Sequence, residues 1–179
     1  MLKRAATLGL AMLFAAAVAA EDPQRLIALR RQFDSLQHPT EADRVQYITA
    51  LVRLRESLTR ADYKEWEAID AEIIKHPMPP DVDSADLRKR VVGEWTSPRH
   101  RYLYRADGTW TMLPEFEDGY QATHGVWHIE GNKFLQNAVM QPPEPPDKGE
   151  TIIILTDTDF VWGTAPYYMR RGDVFPWRT

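Results

Sequence analysis

The chain has 179 residues, of which 44% are hydrophobic and 27% are charged, with a formal net charge of −4 at pH 7. These fractions exclude wholesale disorder, and the length allows one or two small domains. The chain contains no cysteine, which excludes disulfides, thiolate metal sites and cysteine nucleophiles. The lack of a basic excess argues against a dedicated nucleic-acid-binding protein.

Residues 1–20 have the pattern of an export signal. Lys3 and Arg4 precede an apolar run that ends in small residues at 17–20, which is typical of a secretory signal peptide. The run is shorter than the ~20 residues that span a bilayer core; an uncleaved anchor or a buried helix is the alternative. We predict cleavage after Ala19 or Ala20 and a periplasmic or secreted product without a stable membrane anchor. Loss of the two basic residues changes the formal charge to −6.

Residues 21–76 carry apolar residues at helical spacing. The pattern predicts a hairpin of two or three helices, the second beginning after Thr40, an N-cap with Asp43 three residues later. Thr59 or Asp62 is the predicted cap of the third. The apolar stripe of the first helix is Leu26, Leu29, Phe33 and Leu36. Charged residues on the other faces are interpreted as solvated: Arg53, Arg55, Glu56, Lys64, Glu65 and Glu67.

Prolines at 77, 79 and 80 end this region, because they cannot continue a helix. We predict a proline-rich linker over residues 77–84 and a domain boundary there. A short helix over residues 84–91 follows, with Ser84 as its predicted N-cap.

The hydrophobic period changes to two after residue 90. Tyr102 and Tyr104 alternate with charged and polar neighbours, Asp107-Gly108 is a turn signal, and the alternation resumes at Trp110. The connections are too short for crossover helices, so the strands must be antiparallel. We predict seven or eight short strands in a meander, as a barrel or half-barrel over residues 85–172, and a tail at 173–179. The fold class is α+β.

The segment Val92-Gly93-Glu94-Trp95 resembles the start of lipocalin-like (calycin-like) proteins, in which a short helix precedes a G-x-W motif and a meander. Asp107-Gly108-Thr109-Trp110, Gly125-x-Trp127 and Gly131-Asn132 are similar to small bacterial exported domains of this kind, most of them of unknown function. The resemblance covers roughly residues 85–172. It implies that Arg170 or Arg171 packs against Trp95. Because the strands are short, the barrel interior is expected to be filled by side chains.

Fourteen of the nineteen aromatic residues follow residue 90. Those at alternating strand positions are candidates for contacts with a small apolar ligand. The alternative interpretation is that they form an ordinary hydrophobic core. The predicted ligand-binding residues are Tyr102, Tyr104, Trp110, Met112, Trp127 and Trp162.

Few residues have the spacing of catalytic or metal sites. His124 and His128 share one strand face, with His100 as a distant third ligand, but solvent-facing positions explain them as well. The acidic cluster of Glu115, Glu117 and Asp118 has the composition of a hairpin loop. We therefore predict no catalytic residue, no metal and no cofactor.

The leading hypothesis is an exported, non-enzymatic protein that binds a small apolar ligand inside the barrel or at its mouth. The alternative is an envelope protein–protein interaction or inhibitor module with a filled barrel, in which the proline strip at 142–146 docks a partner. A rigid lid at the mouth or a stiff loop between strands also explains this strip, and the aromatic tail at 174–177 is expected to dock on the helices or the barrel. The second alternative is an enzyme with an unrecognised site. No nucleic-acid partner is expected.

Overall fold

The computed structural model describes residues 24–59, 62–98, 100–114, 122–138 and 149–172. Side chains at 113 and 114 are outside this description. The chain divides after His76 into two compact units, a helical unit and a barrel unit. The predicted signal peptide, the acidic cluster at 115–118, the proline strip and the tail lie outside the described residues.

The helical unit contains three described helices: α1 (Arg25–Asp34), α2 (Glu41–Ser57) and α3 (Tyr63–Ile73). The predicted cap of α2 is confirmed, because Thr40 and Asp43 form a reciprocal capping box. Asp62 is the N-cap of α3, but its carboxylate accepts hydrogen bonds from Thr59 instead of from the helix. α2 packs against both α1 and α3.

The barrel unit contains eight described strands: β1 (Gly93–Thr96), β2 (His100–Tyr104), β3 (Thr109–Pro114), β4 (Thr123–Glu130), β5 (Lys133–Ala138), β6 (Glu150–Leu155), β7 (Asp159–Trp162) and β8 (Tyr167–Arg171). Each pairs antiparallel with its sequence neighbour. β8 also pairs with β1, where Trp95 lies opposite Arg171. The predicted antiparallel barrel is therefore present, and it is closed.

A fourth helix, α4 (Ser84–Val91), precedes β1. The prediction of Ser84 as its N-cap is wrong: Asp83 is the N-cap, and its carboxylate accepts from the Ala85 amide at 2.8 Å. Ser84 instead donates its hydroxyl to the Gly131 carbonyl at 3.3 Å. Leu87 and Val91 face the barrel core.

The residues predicted as a linker also contribute to the barrel unit. Met78 is buried in the barrel core, and Val82 packs against it. The Met78 amide donates to the Ile152 carbonyl at 3.0 Å, and its carbonyl accepts from the Asn132 side chain. This segment is therefore held on the barrel by defined contacts.

Side chains of the barrel alternate between the interior and the outside, as period-two strands require. On β4 the buried positions are Gly125, Trp127 and Ile129, and their neighbours are exposed. Gly125 is needed because a Cβ there would lie 2.5 Å from the Trp110 indole nitrogen, which donates to the Asn137 carbonyl. The lack of a side chain at Gly125 therefore leaves room for the indole of Trp110 inside the barrel.

Candidate ligand-binding mouth of the barrel

The interior of the barrel differs between its two ends. We call the end covered by α4 the base and the opposite end, where β2, β4, β6 and β8 begin, the mouth. At the base, Val91, Trp95, Ile129 and Phe160 are completely buried, while Val82 and Val92 at the two ends of α4 are partly buried. Near the mouth, side chains that pack on the same core are only partly buried: Met112, Ala138, Trp162 and Tyr167.

All six predicted ligand-binding residues belong to the single inner cluster or pack against it. Four are buried, namely Tyr102, Tyr104, Trp110 and Trp127, so these are core side chains in this structure. Met112 and Trp162 are partly accessible. The structure thus brings the six residues together, but it offers only two of them to a molecule at the mouth.

Two tyrosine hydroxyls meet at the mouth. The Oη atoms of Tyr102 on β2 and Tyr167 on β8 lie 2.9 Å apart. Burial, with a smaller contribution from Tyr167, raises the pKa of Tyr102 far above its usual value. Its hydroxyl therefore stays neutral and protonated across the physiological range.

A third hydroxyl lies one layer deeper. Tyr104 donates to the side-chain oxygen of Gln136 at 2.8 Å, and its ring stacks parallel to that of Tyr102 at 6.1 Å. Burial raises the pKa of Tyr104 well above its ordinary value. The hydroxyls of Tyr102 and Tyr104 thus each have a hydrogen-bond partner, as is usual for buried polar groups.

The accessible indole at the mouth is fixed by its neighbours. Trp162 lies 4.4 Å from the ring of Phe160 and 5.3 Å from that of Phe134. Tyr167 packs on it at 4.8 Å. Because rings on several sides hold the indole, it is a preorganised apolar surface rather than a mobile side chain.

The histidines do not converge. His124 and His128 are exposed on the outer face of β4, and His124 Nδ1 lies 3.1 Å from the Thr111 hydroxyl. His100 shares the inner face of β2 with Tyr102, their rings 6.3 Å apart. In the part of the chain that the structure describes, no three histidine, aspartate or glutamate side chains form a metal-binding group.

At the base, one arginine covers the tryptophan of the G-x-W segment. The Arg171 guanidinium lies 4.4 Å from the centroid of the Trp95 ring. It donates to the carbonyls of Val92 and Asp157 at 3.0 Å each, and also to that of Arg90. Gly93 has φ of +131°, and a Cβ there would lie 2.5 Å from the guanidinium.

Sequence reasoning missed a buried carboxylate in the helical unit. Glu72 is 4% exposed. It accepts hydrogen bonds from four side chains: Arg30 at 2.6 Å, Tyr47 at 3.0 Å, Lys75 at 3.0 Å and His76 at 3.4 Å. Burial alone raises the pKa of Glu72, but these bonds outweigh it and lower the pKa to about 2. The pattern of charged residues carries no signal that one of them is buried.

The helical unit also has a surface groove of about 520 Å³. Its apolar lining is formed by Leu26, Ile27, Leu54, Leu58, Ala68 and Ile69, and charged residues such as Arg25 and Glu65 also line it. Ile27 is 45% exposed. A single exposed isoleucine is ordinary on a protein surface; what distinguishes this place is that Ile27 continues into an apolar lining.

Comparisons with known proteins identify no relative: no family model, curated protein or solved structure matches the chain. Among the described residues, no helix is both long enough and apolar enough to cross a membrane.

Proposed function

We propose that this chain is an exported, non-enzymatic, lipocalin-like protein that binds a small apolar ligand at the mouth of its barrel. One observation carries the proposal, namely the contrast between the two ends of the interior. The aromatic side chains at the base, Trp95 and Phe160, are completely buried. At the mouth, Met112, Trp162 and Tyr167 remain partly accessible. Aromatic surface of this kind, with a few polar groups, is the usual lining of a small-molecule site.

Three features support the lipocalin-like part of the proposal. A short helix covers one end of an eight-stranded meander barrel, Gly93 precedes Trp95 on the first strand, and Arg171 from the last strand covers that tryptophan. The resemblance implied an arginine in this position. We further propose that α1, α2 and α3 form the helical hairpin that the sequence predicts, as an addition to the barrel.

Export and the lack of enzymatic activity rest on other observations. Export is supported by the signal-like pattern of residues 1–20. A non-enzymatic role is supported by the separation of the candidate side chains, because His100 lies on the inner face of the barrel wall and His124 on the outer face. A reaction site needs its acid and base in one cleft.

Native mass spectrometry of the gently purified full chain tests the ligand. We expect a bound small molecule in the wild type and its loss in Ala138→Trp, which fills the mouth. The matched control is Ala106→Trp, an exposed position in the turn at the base, which is expected to retain the molecule. Retention in Ala138→Trp, or no bound molecule in any sample, would count against the proposal.

A second candidate function is an interaction module in the cell envelope. The groove of the helical unit favours it, since its lining combines apolar and charged side chains, which suits an amphipathic helix of a partner protein. The test is affinity capture from an envelope extract with wild type, Ile27→Glu, and Ile74→Glu as an exposed control outside the groove. Stoichiometric binding of one protein that only Ile27→Glu abolishes supports this function, and binding insensitive to Ile27→Glu contradicts it.

A further inference from the structure

The tyrosine pair at the mouth contains one proton more than its own hydrogen bond uses. Tyr102 and Tyr167 share a single contact of 2.9 Å between their hydroxyl oxygens. Two neutral hydroxyls carry two protons, and only one can lie between the two oxygens. The structure gives neither hydroxyl another side-chain or backbone partner among the described residues. One O–H group therefore remains to donate to something else.

The surroundings of this donor are rings. Tyr167 lies against Trp162 at 4.8 Å and Tyr102 against Trp110 at 6.1 Å. Below the pair, the hydroxyl of Tyr104 already donates to Gln136, so this described tyrosine does not supply a second free hydroxyl. The mouth thus combines apolar ring surface with one available hydrogen-bond donor.

We propose that the ligand of this mouth is an uncharged ring compound with one hydrogen-bond acceptor, such as a carbonyl oxygen, which accepts the spare proton of the Tyr102–Tyr167 pair. This inference rests on the proposed function above. A sugar fits less well, because its several hydroxyls each need a polar partner and an unpaired polar group at an apolar site is costly. A carbonyl compound needs only one donor, which the pair supplies.

The test compares two probes of nearly equal shape, acetophenone and ethylbenzene. Acetophenone has a carbonyl group where ethylbenzene has a methylene group. Both are titrated into the full chain and followed by NMR at the Met112 methyl and the Trp162 indole N–H. We expect Y102F/Y167F to weaken acetophenone binding relative to ethylbenzene by roughly threefold to tenfold, the value of one neutral hydrogen bond. Tyr102→Phe alone is expected to keep most of the relative affinity, because Tyr167, the partly accessible member of the pair, still has a proton to donate.

Infrared spectroscopy of acetophenone bound to wild type gives a second reading that needs no variant. Its C=O stretch is expected at lower frequency than in an apolar solvent. A stretch at the apolar-solvent frequency, or an unchanged affinity ratio in a folded double variant, overturns this inference and leaves the proposed function standing if both probes bind. If neither probe binds saturably to wild type, the inference and the proposed function both fail.

Discussion

Arg171 joins the last strand of the barrel to the start of the first. Its guanidinium covers Trp95 and donates to two backbone carbonyls: that of Val92, just before β1, and that of Asp157, in the turn between β6 and β7. We expect Arg171→Ala to lower the free energy of unfolding by about 1–3 kcal/mol, from the lost cation–π contact and charged hydrogen bonds.

Urea unfolding measures this effect. The control is Arg101→Ala, which removes an exposed ion pair with Glu94 and should change stability by no more than about 1 kcal/mol. Equal losses in the two variants would show that the arginine over Trp95 has no special role.

Glu72 makes the stability of the helical unit depend on pH. Its folded pKa of about 2 is below the unfolded value of about 4.3, so its contribution is complete above the unfolded pKa and disappears as the pH falls towards 2. By linkage this contribution is about 2–3 kcal/mol. Glu72→Gln should therefore be less stable at pH 7 and show a flatter pH dependence between about pH 4 and 2.

Circular dichroism at 222 nm during urea unfolding, repeated from pH 2 to 7, follows this change. If the free energy of unfolding falls equally steeply with pH below pH 4 in wild type and in Glu72→Gln, other carboxylates control the acid response. Glu56 is a useful comparison, because Glu56→Gln removes a carboxylate whose partner Arg53 is nearby on the same helix.

At the level of elements, α4 is the component that covers the base. It packs against β4 and β6, and Leu87 on its inner face is 5% exposed. We expect Leu87→Ala to lower the free energy of unfolding by about 2–4 kcal/mol, since it leaves a cavity in the core. Lys89→Ala, on the exposed face of the same helix, should change it by less than about 0.5 kcal/mol.

The sequence predicts secondary-structure elements correctly where the signal is local. The antiparallel strands follow from period-two alternation around Tyr102 and Trp110, and the start of α2 from the Thr40–Asp43 capping box. Closure of the barrel depends on the pairing of Trp95 with Arg171. These two residues are far apart in the sequence, so no local pattern predicts their pairing. The cap of α4 was misread because Asp83 and Ser84 are both good N-cap residues.

The same distinction applies to the candidate site. The predicted aromatic residues share one interior, because alternation assigns them to one face. Tyr167 was missed because its partner Tyr102 is 65 residues away. Sequence also did not separate core from accessible positions, since Trp127 and Trp162 have similar local patterns but lie at different depths in the barrel.

On the scale of the whole molecule, export predicts a defined mature chain. Intact-mass measurement of protein recovered from the periplasm or medium should give an N-terminus at Ala20 or Glu21, after removal of the signal-like residues. A recovered chain that retains residues 1–20 would contradict the cleavage prediction. Cell fractionation provides the matching check, because cleaved protein should be found outside the cytoplasm.

The proposed function requires that a ligand binds at the mouth of the barrel, at the end opposite α4. NMR of the methionine methyl groups monitors both ends of the barrel in one experiment, because Met112 lies at the mouth and Met78 is buried at the base. On titration with ethylbenzene, we predict a saturable shift of the Met112 methyl while the Met78 methyl stays in place. A shift confined to Met78, or no saturable shift at Met112, would contradict the account.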